Sequence, residues 1–347
     1  MTEVSGGVQP NARHHRVGFD LLKFLLALLV VARHAVQGAY PASSAAWLFV
    51  VEWLSNLAVP CFFIISGSLL FGRADVTAAT VKKYLRRILR LYALWSLLYL
   101  PFTVYGWLSG GRPMWENLLQ YAQQLVFASD IVQLWYLPAL FFAVAALALL
   151  LKLGISRRAI LLMAFVLLLI GAIGDSPALL ARFPDAERFF NAYNAVFLTT
   201  RNGLFYGLFY TALGMRLGQT AARCRTAVLA AIFAVSLAVM FVEASVLHSV
   251  NMLVSAVPAA WALVRLCERV PAIINRGWAV LLRMASSLIY YDHILAVIAL
   301  TLLWRLIGVS PNGEAAVLAA VTVSALVSLA AVALSRRRAF RWLRAFV

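Results

Sequence analysis

Apolar residues fill this chain in long blocks, interrupted at short intervals by charged and turn-forming clusters. Ten such blocks stand near residues 18–39, 47–71, 87–108, 133–151, 159–174, 202–218, 226–245, 250–266, 284–307 and 314–334. Most reach the roughly 20 residues that a helix needs to cross a hydrocarbon layer, and 159–174 is the shortest. The pattern predicts an all-α, polytopic membrane protein with about ten transmembrane helices. Residues 18–334 then form one transmembrane domain between an N-terminal tail, 1–17, and a basic C-terminal tail, 335–347.

Composition points the same way. Of 347 residues, 64% are hydrophobic, and the mean hydropathy of +0.88 implies more apolar surface than a soluble core can hide. The net charge of +17, from 30 Lys and Arg against 13 Asp and Glu, becomes a topology signal because cytoplasmic loops of membrane proteins collect cations. Basic residues cluster in alternate connections: Arg13 and Arg16 first, then Arg73, Lys82, Lys83, Arg86, Arg87 and Arg90, then Lys152, Arg157 and Arg158. Arg216, Arg223 and Arg225 follow, with further clusters at 265–283 and 336–344, whereas the opposite connections hold only Arg112, Arg182, Arg188 and Arg201. Both termini are therefore expected in the cytoplasm, with the lipid bilayer rather than a nucleic acid as the partner of this charge. The tail SRRRAFRWLRAFV reads either as a stop-transfer anchor or as a segment lying on anionic lipid.

The first block carries ionisable groups where an anchor carries leucine. Lys23, Arg33 and His34 inside it argue against a cleaved signal peptide. At about 100° per residue, Asp20, Lys23 and His34 share one helical stripe, with His34 roughly 16 Å further along the axis than Lys23. Charged groups in a span are costly and usually face a protein interior or a wet cavity; for Lys23 and Arg33 the competing reading is snorkelling to the interfaces. The three cysteines, Cys61, Cys224 and Cys267, imply no structural disulfide, and there is no metal-ligand spacing, P-loop or dinucleotide fingerprint. The long connections 109–131 and 175–200 hold Trp115, Asn117, Tyr121, Gln123, Gln124, Asn191, Tyr193 and Asn194. Such residues suit sugar hydroxyls and equally suit an interfacial aromatic belt.

These stretches together resemble the integral-membrane acyltransferase 3 family. Asp20, Lys23 and His34 look like its first-helix signature, a cation and a histidine with ten residues between them. VPCFFIISGSLLF (59–71), KKYLRRILRLYALW (82–95) with Arg87 and Arg90, LWYLPALF (134–141) with Trp135, RNGLFYGLFYTALG (201–214) and SLIYYDH (287–293) with Tyr290 and His293 are similar to later segments, in order. Lys23 stands where many members have arginine, Arg33 is an additional cation, and Asp292 precedes the later histidine.

The resemblance implies an O-acyltransferase of the inner (cytoplasmic) membrane that moves an acyl group, commonly acetyl, from acetyl-CoA to a glycan, lipid-linked sugar or other envelope acceptor. On that basis His34, Lys23 and Asp20 are the catalytic candidates, with His34 as general base. Arg87, Arg90, Arg86 and Lys83 are candidates for the CoA phosphates, and Tyr290, His293, Arg33 and Trp135 for groups around the acceptor. No metal is expected. A transporter or flippase of a polysaccharide intermediate is the alternative, since ionisable groups also line transport paths.

Overall fold

The computed structural model describes residues 14–73, 76–220, 224–248, 251–271 and 275–346, the side chains of residues 14–16 and 276 excepted. Arg13, Arg223 and residues 1–13 of the N-terminal tail lie outside them. Among the described residues the regular structure is entirely helical. In chain order the α-helices are α1 (His14–Ala39), α2 (Ala58–Phe71), α3 (Ala78–Gly110), α4 (Met114–Phe127), α5 (Tyr136–Lys152), α6 (Arg157–Gly174) and α7 (Pro177–Leu180), followed by α8 (Pro184–Phe197), α9 (Leu208–Gln219), α10 (Thr226–Leu247), α11 (Ala256–Cys267), α12 (Arg276–Leu306) and α13 (Gly313–Leu334).

Each apolar block of the sequence falls on one of these helices. Among the described residues, six helical segments are long and apolar enough to cross a membrane: Trp47–Phe71, Ala78–Gly110, Arg157–Gly174, Thr226–Leu247, Gly277–Leu306 and Gly313–Leu334. The short block 159–174 is among them. Tyr136–Lys152 and Ala256–Cys267 are apolar but shorter, and α1, although 26 residues long, has its apolar run interrupted by Asp20, Lys23, Arg33 and His34. Two helices begin earlier than hydropathy indicates, because a cap rather than the first apolar residue sets a helix start. The Thr77 hydroxyl accepts from the Thr80 amide at 3.2 Å, and the Asn275 side chain accepts from the Trp278 amide at 3.0 Å. The basic stretch 82–90 thereby becomes a helical arm of α3 rather than a loop.

α1 packs on α12 and α13, and α2 makes its main contact with α9. That second pair is close because glycines face it: a Cβ on Gly67 would lie 2.1 Å from the Thr211 carbonyl oxygen, and one on Gly214 would lie 2.0 Å from that of Ile64. In lipid, where apolar side chains gain little by meeting each other, such close backbone approach supplies the packing. The outer helices show the complementary pattern. α10 has only 22% of its most apolar window buried and leaves Val228, Val235, Val239, Val242 and Val246 exposed, a surface suited to acyl chains.

The segment ahead of α2 is not regular. Trp47–Trp53 winds as a π-helix and Leu54–Leu57 as a 3₁₀ turn, with Trp53 at φ −104°, ψ −82°. A second π turn, Gly203–Gly207, precedes α9. Such irregular turns free backbone groups from the i to i−4 ladder.

Candidate functional site

Two cavities penetrate the helical bundle from opposite ends. The larger, of about 590 Å³, is lined by Lys23 of α1, Ser66 of α2, Tyr84 and Arg87 of α3, Arg283 of α12 and Arg344 of the C-terminal segment, with Leu70, Ile88, Leu137 and Leu140 supplying apolar wall. Its mouth adjoins a groove of about 470 Å³ lined by Lys83, Arg86, Arg87 and Arg90. These four are exposed, and residues three and four apart on a helix share a face, so the capped arm of α3 presents them as one cationic ridge. Lys23 is half-buried and lies within electrostatic reach of Asp20, Arg283 and Arg87.

The smaller cavity, of about 170 Å³, is lined by Arg33 and His34 of α1, Gln133 and Trp135 at the start of α5, Arg201 before the second π turn, and Asn251 before α11. Phe62, Tyr136 and Tyr290 line both cavities. Their rings stand in series, Phe62 to Tyr136 at 6.0 Å and Tyr136 to Tyr290 at 5.7 Å between centroids, and two polar contacts hold them. The Tyr290 hydroxyl donates to the Gln133 carbonyl, and the Tyr136 and Ser66 hydroxyls lie 3.2 Å apart.

Arg33 does not snorkel. Its Nη1 donates to the Val51 carbonyl at 2.7 Å, Ser55 Oγ at 2.8 Å and Asn56 Oδ1 at 3.2 Å, and its Nη2 to Asn251 Oδ1 at 2.8 Å. The irregular turn ahead of α2 puts the Val51 carbonyl within reach, and so ties a buried guanidinium to helix geometry. Asn251 is fixed in turn by Asp175, whose carboxylate accepts the amides of Asn251 at 2.5 Å and Met252 at 2.8 Å. Arg201 is different. Its guanidinium lies 4.4 Å above the Trp135 ring and makes no hydrogen bond among the described residues.

The histidines meet across the α1–α12 contact, their rings stacked with centroids 5.2 Å apart. His34 faces the small cavity, whereas His293 is fully buried. His293 Nδ1 lies 2.8 Å from the Ile289 carbonyl, which only accepts, so the neutral ring carries its proton on Nδ1. Its Nε2 keeps a lone pair, with no hydrogen-bond partner among the described residues.

The residues singled out in the sequence therefore separate into two groups. Lys23 joins Lys83, Arg86, Arg87 and Arg90 at the basic end; His34, His293, Arg33 and Trp135 gather at the other; Tyr290 stands between. Asp20 is buried beside Lys23 and lines neither cavity. Arg201, Gln133, Asn251 and Asp175 were not marked out, nor were Arg283 and Arg344. One signal pointed to Arg201: it is a cation on the cation-poor side. The C-terminal segment turns back on the bundle, its Phe346 carbonyl accepting from Trp95 Nε1 at 3.2 Å. Part of the aromatic and amide set of the long connections is occupied by packing. Gln123 Nε2 donates to the Ala195 and Val196 carbonyls at 2.7 and 2.9 Å, joining α4 to α8, and Tyr193 stacks on Phe197 at 4.6 Å.

No solved structure matches the chain significantly. Among curated proteins, one of Enterococcus faecalis named amino-acid racemase is 32% identical over 212 residues, 60% of this chain and 29% of that protein. One of Enterococcus gallinarum named serine/alanine racemase is 28% identical over 236 residues, 67% of this chain and 33% of its own length. The chain thus spans about a third of these relatives. The family model described as an acyltransferase domain matches residues 16–336, a range that includes every lining residue of the two cavities except Arg344, and on that match the chain belongs to the acyltransferase 3 family.

Proposed function

We propose that this chain moves an acyl group, acetyl in the simplest case, from acyl-CoA at its basic end to a hydroxyl of a glycan, lipid-linked sugar or other envelope acceptor at the opposite end. The observation that supports this is the pair of cavities backing onto each other across Phe62, Tyr136 and Tyr290, one rimmed by cations and the other holding His34. Lys83, Arg86, Arg87 and Arg90 suit the donor's phosphates, which guanidinium groups grip in bidentate fashion, and the apolar wall beyond them suits its pantetheine arm. Lys23, held by Asp20, lies along that path. His34 takes the acceptor's proton as the acceptor oxygen forms a C–O bond to the acyl carbon. The thioester C–S bond breaks, and the proton ends on the CoA thiol. His293, stacked behind His34, orients its ring.

In this reading α1, the 47–71 segment, α3, α5, α6, α9 with its π turn, α10, α11, α12 and α13 make ten crossings of an inner membrane, with both termini cytoplasmic. The relatives named as amino-acid racemases add an amino acid to the acceptors worth testing. The assay is release of free CoA thiol from acetyl-CoA by the purified chain with candidate acceptors, against His34→Gln. A loss of roughly 10²-fold or more fits a proton acceptor; equal rates remove His34 from the chemistry. The two-ended cavity system also fits passage of a small solute. That second reading predicts solute movement across vesicles without any acetyl-CoA consumption.

A further inference from the structure

The small cavity is built for an anion on one side. Arg33 and Arg201 line it together with His34, and no Asp or Glu does. Asp175 exerts its charge on both arginines, but its carboxylate is occupied by two backbone amides. Glu52 acts on Arg33 and pairs with His248 at 3.3 Å. Arg33 spends its Nη groups on four protein acceptors. Arg201 spends none among the described residues: its Cζ lies 4.4 Å from the centroid of the Trp135 ring, a cation–π contact that takes up no hydrogen-bond acceptor and leaves its fork of N–H donors uncommitted. A half-buried cation with five idle donors carries a large desolvation cost, and a ligand with two planar oxygens matches that fork. Gln133, 2% exposed, lines the same cavity, and its Oε1 has no hydrogen-bond partner among the described residues.

We propose that Arg201, seated over Trp135, is a carboxylate-recognition residue, and that the acceptor is an acid whose hydroxyl or amine lies a few bonds from its carboxylate. Arg201 clamps the carboxylate while His34 faces the nucleophile. One acceptor O–H or N–H bond and the thioester C–S bond break, a C–O or C–N bond and an S–H bond form, and the carboxylate is unchanged. A small hydroxy or amino acid and an acidic sugar share this chemistry. A phosphate is a poorer match, because a single uncommitted fork offers little to a tetrahedral dianion. The step after binding rests on the acyl-transfer reading; the binding does not.

The experiment measures ligand affinity of the purified full chain in detergent, with lactate against lactamide, glucuronate against glucose, and inorganic phosphate. Expected is binding of one or both acids, with the uncharged counterpart at least tenfold weaker. Lactate alone assigns a small acid, and glucuronate an acidic sugar. Arg201→Gln should weaken the acid by about 10- to 100-fold, and Arg201→Lys, which keeps the charge and loses the fork, by a smaller factor. CoA binding at the basic end stays unchanged in both, which certifies the fold; if Arg201→Gln does not fold, the lysine variant and the acid-against-amide comparison decide alone. Acids no better than their counterparts, phosphate in their place, or unchanged affinity in Arg201→Gln overturns the proposal. Failure to consume acetyl-CoA would sink the acyl-transfer reading and leave these affinities standing.

Discussion

Arg33 and His34 are neighbours in sequence and stand in opposite situations: the guanidinium is held by four protein acceptors, while the imidazole faces open cavity. Arg33→Lys should therefore act on stability. One ammonium cannot span Val51, Ser55 and Asn56 on one side and Asn251 on the other, so acceptors are left buried without donors, at about 1–3 kcal/mol each. A fall of several degrees in the denaturation midpoint is expected, and an unchanged midpoint would mean that the cage adds nothing. His34→Gln should leave the midpoint alone and remove activity. His293→Phe keeps the stack but loses the bond to Ile289, and should lower the rate only several-fold; a loss equal to that of His34→Gln would move the base to His293. The Lys23–His34 stripe was legible because helical periodicity alone brings residues eleven apart onto one face. The Arg201–Trp135 pair was not, since 66 positions separate its members and only tertiary packing joins them.

At the scale of elements, long apolar blocks announced the bundle helices, because burial in lipid asks only for length and apolarity, but not α4 and α8, which lie within the connections 109–131 and 175–200. What they could not announce is how closely two helices approach, or where a helix stops being regular. RNGLFYGLFYTALG reads as one apolar stretch, yet it holds a π turn and then Gly214, whose missing side chain lets α9 touch the α2 backbone. Gly214→Ala drives a methyl group into the Ile64 carbonyl, and overpacking of that kind costs about 1–3 kcal/mol. Gly106 of α3 is the control. A Cβ there meets nothing within 4 Å, and Gly106→Ala should be neutral or stabilise by up to about 1 kcal/mol. Thermal midpoints of the two variants, purified side by side, check the difference; equal midpoints would show that the α2–α9 contact tolerates a wider spacing.

At the scale of the whole molecule, the proposed reaction requires a donor entering from one end to react with an acceptor entering from the other without wasting the thioester on water. The three rings of Phe62, Tyr136 and Tyr290 are the shared wall of the two cavities, and their hydrogen bonds pin two of them, leaving Phe62 held by packing alone. Removing that ring should join the cavities. In the proposed reaction, water in the small cavity then reaches an acyl carbon that the wall otherwise shields until an acceptor is bound, as closed active sites exclude hydrolysis of reactive intermediates. Phe62→Ala is therefore expected to raise acetyl-CoA hydrolysis in the absence of acceptor several-fold above the wild type and to lower the fraction of acyl groups reaching the acceptor. Phe62→Leu, which refills most of the volume, should restore both. The measurement is the ratio of acetate to acylated acceptor formed per CoA released by the purified variants. If that ratio is the same in Phe62→Ala as in the wild type, water already crosses between the cavities, and the separation of donor and acceptor must be maintained by the order in which they bind.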